Sequence, residues 1–377
     1  MKLVELHILQ SFPVTCLNRD DAGAPKSAWF GGVQRARVSS QCWKRAIRHR
    51  AKEICEQYGK QLFGGIRSHY LEDRLHQSLM QKGMEESKAR DAAKQIVEFL
   101  GKRDSKQEGA KTTVALFFSP KELDAIAEAV LEQVGDKQDK KIDLGRGKLK
   151  KMLQQTQPDD LADIAIFGRM VANDHTLTVE GAGLFSHALS THEVANDVDY
   201  FSAVDEEQPE LVEGAGHIGT LEFNTACYYR YIGLNWDLLS DPDHIGAVSP
   251  QDREQVLDVF LRASILAVTN ARKTSMFGHN MPGAVLGLVR RGHPLSLANA
   301  FERPIGAHEG YLKPSLETMA KHYAIIKRVF SLPSECELWL LCLDSQQSLK
   351  LSVGTVVDNL DTFVQKIKEA LRDEPNR

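Results

Sequence analysis

The sequence of 377 residues has no long apolar segment and no closely paired cysteines. No window approaches the run of about 18 apolar residues that a membrane-spanning helix needs. The first residues also lack the apolar run and the small-residue cleavage site of a signal peptide. The six cysteines form no Cys-x-x-Cys pair, which argues against a disulfide framework and a zinc ribbon. We therefore expect a cytoplasmic protein without a membrane partner, in which the cysteines are reduced.

The signatures of several common enzyme classes are also absent. The sequence contains no P-loop, no Gly-x-Ser-x-Gly elbow, no His-Glu-x-x-His and no glycine-rich dinucleotide loop after a strand. The Gly-Phe-Gly-Phe core of the common RNA-recognition signature is missing too. A metal site at His187 and His192, beside Asp197 and Asp199, is disfavoured because histidines five residues apart do not share a helix face. We expect neither a metal nor another cofactor.

Charge is distributed unevenly along a chain whose formal net charge is −4. Residues 26–50 contain seven Lys or Arg and no acidic residue, whereas residues 193–214 contain eight Asp or Glu and no Lys or Arg. The overall proportions, 42% hydrophobic and 26% charged residues, are those of an ordinary folded globular protein. The segregation of the two signs predicts one anionic partner and one basic partner.

Hydrophobic periodicity predicts a mixed α+β protein. Alternation over residues 3–10 predicts a half-buried strand, and Ser39-Ser40 predicts the N-cap of a helix with an apolar stripe from Trp43 to Tyr58. Residues 60–170 are predicted to be mostly helical, and aromatic and β-branched residues predict a long strand over 221–235. Further helices are predicted at 85–102, from Ser119-Pro120 onwards, and at 159–170, 252–268, 294–301, 316–330 and 356–372, with further strands at 284–289 and 337–343. Strands separated by helices indicate an α+β sandwich interrupted by insertions.

The start of the first predicted helix is the clearest candidate site. Free backbone N–H groups and the helix dipole favour an anion there, and Lys44 and Arg48 lie one turn apart on the polar side. Such a surface would hold several phosphates in a row. A solvated basic helix that only keeps the protein soluble is the alternative interpretation, and spacing alone does not decide between the two.

Residues 197–219 are predicted to form a long projecting hairpin. Tyr200 and Phe201 are adjacent and therefore point to opposite faces of a strand, which leaves one ring available as a wedge between nucleobases. Alternatively, the rings cover a local cluster at the root of the hairpin. Because the surrounding acidic residues repel phosphate, we expect the hairpin to contact bases or the basic surface of a neighbouring subunit.

Several sequence blocks together resemble a known family. In chain order they are Cys16-Leu17-Asn18-Arg19-Asp20-Asp21, Phe30-Gly31-Gly32, Arg37-Val38-Ser39-Ser40-Gln41, Ile164-Ala165-Ile166-Phe167-Gly168-Arg169-Met170, Asp197-Val198-Asp199-Tyr200-Phe201-Ser202-Ala203-Val204-Asp205 and Pro294-Leu295-Ser296-Leu297-Ala298-Asn299-Ala300-Phe301-Glu302. These blocks resemble the CasC-type backbone subunits of Cascade, the type I-E CRISPR surveillance complex. The resemblance runs over most of the chain. Gln34 departs from it, at a position where relatives often carry a basic residue, and residues 60–160 match only as a helical region of similar length.

The resemblance implies a hand-shaped α+β fold. Its parts are a modified RNA-recognition-type (ferredoxin-like) palm, a helical fingers insertion and a β-hairpin thumb. The implied division is palm at 1–59, helical fingers at 60–185, palm at 186–190, thumb hairpin at 191–226 and palm at 227–377.

The resemblance also implies a non-catalytic subunit that polymerises head to tail along a CRISPR RNA. This subunit would present the guide to a target DNA strand and would assemble with the other Cascade subunits. The implied guide-phosphate contacts are Arg19, Lys26, Ser39, Gln41, Lys44, Arg45 and Arg48, and the residues implied to flank a kinked base are Met170, Tyr200 and Phe201. The acidic residues 205–207 would then meet a basic surface on the next copy. The alternative is a metal-dependent RNA endonuclease that uses Asp197, Asp199 and Asp205, because related subunits of other CRISPR types cut RNA with a thumb aspartate.

Replacing Lys44 and Arg48 by alanine is expected to weaken RNA binding equally for all sequences, because phosphate contacts carry no sequence information. The slope of the logarithm of the binding constant against the logarithm of salt concentration is expected to fall by about 0.7 for each lost single-strand contact. Fluorescence anisotropy over a salt series measures both effects. A changed sequence preference would instead place these side chains against bases.

Overall fold

The structure is a computed structural model that describes residues 1–104, 111–134, 142, 145, 147–156, 159–203, 217–242, 244–245, 248–269, 271–307, 310–342, 351 and 353–372. The strands are β1 (Lys2–Thr15), β2 (Ser27–Phe30), β3 (Val33–Val38), β4 (Ile66–Ser68), β5 (Leu116–Phe118), β6 (Gly183–Phe185), β7 (Ala188–Ser190), β8 (Asp197–Ala203), β9 (His217–Asn235), β10 (Ala284–Arg291), β11 (Cys336–Leu341) and β12 (Thr355–Val357). The helices are α1 (Ser40–Gln57), α2 (Leu71–Gln81), α3 (Glu86–Leu100), α4 (Pro120–Val134), α5 (Lys148–Thr156), α6 (Ala162–Phe167), α7 (Trp236–Leu239), α8 (Pro250–Leu266), α9 (Lys273–Met276), α10 (Leu312–Val329) and α11 (Leu360–Arg372). The prediction of an α+β protein is confirmed.

The chain divides into two compact units. The sheet unit comprises Met1–Arg50, Leu184–Gly233 and Phe260–Arg377, and the helical unit comprises Ala51–Gly183 and Leu234–Val259. Each unit has a buried apolar cluster of its own. Within the described ranges, no helix is long and apolar enough to cross a membrane.

A mixed sheet of ten described strands forms the centre of the sheet unit. Its order is β12-β11-β10-β1-β9-β7-β3-β2, and β6 and β8 also pair with β9. Strand β1 pairs antiparallel with β10, from Lys2 opposite Arg291 to Leu9 opposite Ala284. The last strand, β12, is parallel to β11. The N-terminal strand therefore lies inside the sheet, between two long neighbours from the second half of the chain.

Strand β1 is buried on both faces, although its alternation predicted a half-buried strand. The carboxylate of Glu5 accepts hydrogen bonds from the Tyr231 hydroxyl at 2.7 Å and from Arg290. The Nδ1 atom of His7 lies 2.9 Å from the Tyr229 hydroxyl. Polar side chains can be buried when they hydrogen-bond to one another. The polar face of β1 is therefore buried as well as its apolar face.

Helices cover both faces of the sheet at β10. Leu286 and Leu288 share an apolar cluster with Leu316 of α10. Gly287, which points the opposite way, lies under α11, since a Cβ at this glycine would approach the Phe363 ring to 2.4 Å. Coverage on both faces explains why β10 is a continuous apolar run rather than an alternating one.

The helical unit is built around helices α2 to α5 and the small antiparallel pair β4–β5. The N-cap predicted at the start of α4 is confirmed, because the Glu122 N–H donates to the Ser119 hydroxyl at 3.1 Å and the Ser119 N–H donates to the Glu122 carboxylate at 3.0 Å. Arg169 binds the same carboxylate at 2.7 Å, and both partners are buried. This ion pair holds the segment before Met170 against the first turn of α4.

Three predicted helices are shorter than expected. Of the helix predicted at 159–170, only Ala162–Phe167 is helical (α6), because Gly168, with φ +78°, ends the helix. The one predicted at 294–301 is a single 3₁₀ turn at Ala298–Phe301. The last helix begins at Leu360 rather than at 356, since residues 355–357 form β12. The division into palm, fingers and thumb segments stays a prediction.

Strands β2 and β3 form a hairpin that the sequence analysis did not predict. Phe30 pairs with Val33, which leaves Gly31 and Gly32 as a two-residue turn with φ values of +62° and +80°. Two consecutive left-handed residues make the type I′ turn that suits a hairpin. A Cβ on Gly31 would lie 1.7 Å from the Glu302 carbonyl oxygen, so Gly31 is required both for its dihedral angle and for space.

Replacing Gly31 by alanine is expected to lower the free energy of unfolding by at least about 2 kcal/mol, because strain and a backbone clash add. Gly23→Ala is the matched control. Gly23 also has a positive φ, +90°, but no heavy atom lies within 4 Å of a Cβ built there, so its loss is expected to be about 1 kcal/mol. Urea unfolding measures both values, and equal losses would contradict the close packing of Gly31 on Glu302.

Candidate nucleic-acid interface

The N-terminus of α1 is fixed to the loop that precedes β2. The Ser39 hydroxyl accepts the Cys42 N–H at 3.3 Å and so caps the helix, as the sequence predicted. The Ser39 N–H donates to the Asn18 side chain at 3.0 Å. Gln41 is exposed in the first turn. The backbone of the Asn-Arg-Asp-Asp block and the start of the basic helix are therefore held together.

The loop at residues 18–26 places two cations beside that helix start. The Asp20 carboxylate accepts the backbone N–H groups of Ala22 and Ala24, each at 2.9 Å, and thereby shapes the loop. Arg19 is exposed and is bridged through its backbone to Pro25. The Lys26 N–H donates to the Asn18 carbonyl at 2.8 Å. Both side chains thus extend from a braced loop rather than from a free one.

The electrostatic environment of two neighbouring groups shows that further cations converge here. Burial raises the pKa of the Cys42 thiol, and the charges of Arg45 and Lys26 oppose that rise. Burial lowers the pKa of His187, and the charges of Arg37 and Lys26 lower it further. Lys26 is common to both groups. The surface thus unites cations from the loop, from β3 and from α1.

Lys44 and Arg48 lie deeper than Arg45. The Lys44 ammonium lies 5.2 Å from the centre of the Phe185 ring, and burial lowers its pKa. Arg48 is half-buried, whereas Arg45 is exposed. Within the phosphate-contact set inferred from the sequence, the structure therefore separates partly covered cations from Arg19 and Arg45, which face solvent.

Arg35 is part of the basic run in the sequence but not of this surface. Its side chain is 0% exposed. The guanidinium donates to the carbonyl oxygens of Ser190 at 3.1 Å, Phe301 at 2.8 Å and Glu302 at 3.2 Å. Burial lowers the pKa of this group. Arg35 is a structural cation that joins β3 to β7 and to the 3₁₀ turn of the Pro294–Glu302 block.

A second buried arginine positions α1. Arg230 of β9 stacks on Trp43, with its guanidinium carbon 4.2 Å from the ring centre. It also donates to the carbonyl oxygens of Ser264 and Ile265, both at 3.1 Å, in the last turn of α8. Burial lowers the pKa of Arg230 to about 9, so the group keeps its charge at neutral pH. One cation therefore joins the basic helix, the sheet and the end of α8.

The predicted hairpin is formed by β8 and β9, which pair from Asp197 opposite Phe223 to Ala203 opposite His217. Tyr200 is 74% exposed. Phe201 is 46% exposed, and its ring covers Gly219 on the partner strand, where a Cβ would approach it to 2.4 Å. Tyr200 is therefore the more exposed of the two rings.

Other predicted site residues lie elsewhere or outside the described chain. Met170 is 77% exposed but belongs to the helical unit, whereas Tyr200 and Phe201 belong to the sheet unit. The acidic residues 205–207, predicted to meet the next copy, lie outside the described residues. Asp205 is also one of the three aspartates of the alternative endonuclease prediction.

The two histidines weighed as metal ligands have other contacts. The Nε2 atom of His192 accepts the Cys227 N–H at 3.1 Å, its Nδ1 atom lies 2.8 Å from the Glu193 carbonyl, and its ring stacks on Tyr311 at 3.5 Å. His187 contacts Arg37 at 3.2 Å. In the ranges that the structure describes, no group of three or more His, Cys, Asp or Glu is arranged to hold a metal ion.

Sequence reasoning missed several groups on or near this surface. Arg37 and His187 are 150 positions apart in the chain, yet their side chains touch. Trp29 is 78% exposed on the edge hairpin. Arg272 opposes the rise that burial causes in the pKa of the Cys16 thiol. The basic segment at residues 26–50 indicated Arg37. Sequence periodicity does not predict its contact with His187, because that contact forms only in the folded chain.

The comparisons with known proteins agree with this fold. Two chains from solved structures match this chain over 98% of its length and over 99% of theirs. The first belongs to a "CRISPR RNA-guided surveillance complex, pre-nicking", with 27% identity and a TM-score of 0.82. The second belongs to a "CRISPR RNA-guided surveillance complex", with 20% identity and a TM-score of 0.65, and shows the fold alone.

The fold is thus that of a CRISPR surveillance-complex subunit. A family model described as CT1975-like protein matches residues 4–366, and the chain belongs to this family of CRISPR-associated proteins. The resemblance inferred from the sequence blocks is confirmed at the level of the family. No curated protein matches the chain.

Replacing Arg230 by methionine is expected to lower the free energy of unfolding by about 2–4 kcal/mol, because two helix-end carbonyls and the Trp43 ring lose a buried cation. Arg262→Met is the matched control on the neighbouring α8. Arg262 pairs at 2.6 Å with Asp361, whose side chain is 81% exposed, so solvent screens this pair and the loss of Arg262 is expected to cost less than the loss of Arg230. Urea unfolding compares the two variants, and similar losses would show that Arg230 does not anchor α1.

Proposed function

We propose that the chain is a non-catalytic, RNA-binding backbone subunit of a CRISPR surveillance complex. Copies lie head to tail along the guide and present it for pairing with a target DNA strand. Sequence recognition comes from base pairing, and the protein holds the guide through its sugar-phosphate backbone. The family and the likeness to a surveillance-complex chain over 98% of the length support this assignment.

One observation carries the proposal: Arg19, Lys26 and Arg45 extend from connected backbone around the start of α1. In the described part of the chain, none of the three lies in an ion pair with a carboxylate. Cations that form no ion pair attract phosphates irrespective of sequence. Arg19 and Arg45 are exposed, and Lys26 is half-buried. Gln41 is exposed in the first turn of α1, at the positive end of the helix dipole.

In this proposal, the sheet unit supplies a modified RNA-recognition-type palm, the helical unit supplies the fingers, and the β8–β9 hairpin is the thumb. Tyr200 is exposed on that hairpin and has the flat apolar surface that separates neighbouring bases. A head-to-tail contact is heterologous and does not close on itself, so the RNA and the other Cascade subunits set the length of the array.

The proposal predicts assembly in proportion to RNA length. When the full chain is mixed with guide RNAs of increasing length, mass photometry is expected to show complexes that grow by whole copies of the protein. Combined Arg19→Gln, Lys26→Gln and Arg45→Gln substitutions are expected to abolish this growth at moderate salt, because three phosphate contacts are lost.

The matched control removes three exposed cations of α10, by Lys313→Gln, Lys321→Gln and Arg328→Gln. It changes the net charge equally and is expected to leave assembly intact. Assembly that fails in both variants would reflect net charge alone. A wild-type chain that stays monomeric with every RNA would contradict the proposed function.

A further inference from the structure

The segment 271–281 runs along the end of β1, beside the Arg19 loop. Just before it, the Thr269 hydroxyl donates to the Leu17 carbonyl at 2.7 Å. Gly278 packs so closely that a Cβ would lie 2.8 Å from the Thr15 side chain. The Gln10 side-chain amide donates to the Asn280 carbonyl at 2.5 Å. The path of this segment is therefore fixed against the same stretch of chain that carries Arg19.

Arg272 is held in an unfavourable backbone conformation within that segment. Its φ and ψ are 48° and 36°, in the left-handed region that residues other than glycine rarely adopt. The backbone N–H groups of Ser275 and Met276 donate to its carbonyl at 3.2 and 3.0 Å, which opens α9. Such strain persists only where the surrounding structure imposes it, and it is concentrated at functional sites.

Arg272 lies in the segment that Thr269 and Gly278 fix against Leu17 and Thr15, and this places it near Arg19 and the buried Cys16. Burial raises the pKa of Cys16, and both guanidinium charges oppose that rise, so the thiol is neutral and cancels neither charge. The Oδ1 atom of the nearby Asp20 carboxylate accepts the backbone N–H groups of Ala22 and Ala24, and it forms no ion pair with Arg272 among the described residues. The Nε atom of Arg272 is buried and has no hydrogen-bond acceptor among the described residues.

We propose that Arg272 and Arg19 together bind one phosphate of the nucleic-acid backbone, with Arg272 held in place by its left-handed conformation and by the packing of its segment against the end of β1. The inference rests on the proposed function and extends its surface by a residue remote in sequence from the basic run. Two neighbouring guanidinium groups suit a phosphodiester, because a guanidinium can present parallel N–H donors to its oxygens.

The test measures the binding of a fluorescent oligouridylate to the full-length protein over a salt series. Arg272→Gln is expected to weaken binding about tenfold, the loss of one charge-assisted hydrogen-bonded contact. The slope of the logarithm of the binding constant against the logarithm of salt concentration is expected to fall by about 0.7, and Arg272→Lys is expected to retain that slope. Arg303→Gln, at an exposed arginine that does not act on Cys16, is the charge-matched control and is expected to retain both values.

Arg272→Gly separates binding from folding. Glycine adopts the left-handed conformation without strain, so this variant is expected to unfold at the same or a higher urea concentration and yet to lose RNA affinity as Arg272→Gln does. Wild-type affinity and slope in both variants would overturn the inference while leaving the proposed function intact. Failure of the wild-type protein to bind the oligouridylate would instead count against the proposed function.

Discussion

The buried contact between Arg230 and Trp43 is the constraint on which the proposed interface depends. A guanidinium without a carboxylate partner among the described residues is stabilised by an indole face and by two helix-end carbonyls. Trp43 lies in the middle of the basic segment, so whatever holds its ring also sets the direction in which Lys44, Arg45 and Arg48 extend. The interior of the sheet unit thus determines the geometry of a charged surface.

Buried polar groups also explain how blocks that are far apart in the sequence pack against one another. Arg35 joins the strand after Gly31 and Gly32 to the carbonyls of Phe301 and Glu302, and Gly31 itself leaves room for the Glu302 carbonyl. Glu5 similarly accepts the Leu295 N–H at 2.7 Å. The Pro294–Glu302 block is therefore not a separate motif but the surface against which the β2–β3 hairpin is built. Loss of any one of these contacts leaves a buried donor or acceptor without its partner.

Periodicity was sufficient to predict α1, with its Ser39 cap, and the long strand β9, because one buried face leaves a clear pattern. It was insufficient where polar residues are buried: β1 was predicted to be half-exposed, although Glu5 and His7 are inside. Residue type alone also did not separate Arg35, which is buried, from Arg45, which is exposed. Arg272 shows the limit most clearly, because the contact of its segment with Leu17 joins positions 252 residues apart in the chain.

In the proposed function, the surface around the start of α1 holds RNA by the RNA backbone. This binding is tested most directly by purifying the full-length protein at moderate salt, comparing nucleic-acid with protein absorbance, and sizing the bound material before and after RNase treatment. The protein is expected to purify as large particles that contain RNA and that dissociate on RNase treatment. A nucleic-acid-free monomer that remains so when offered CRISPR RNA and its partner subunits would contradict the proposed function.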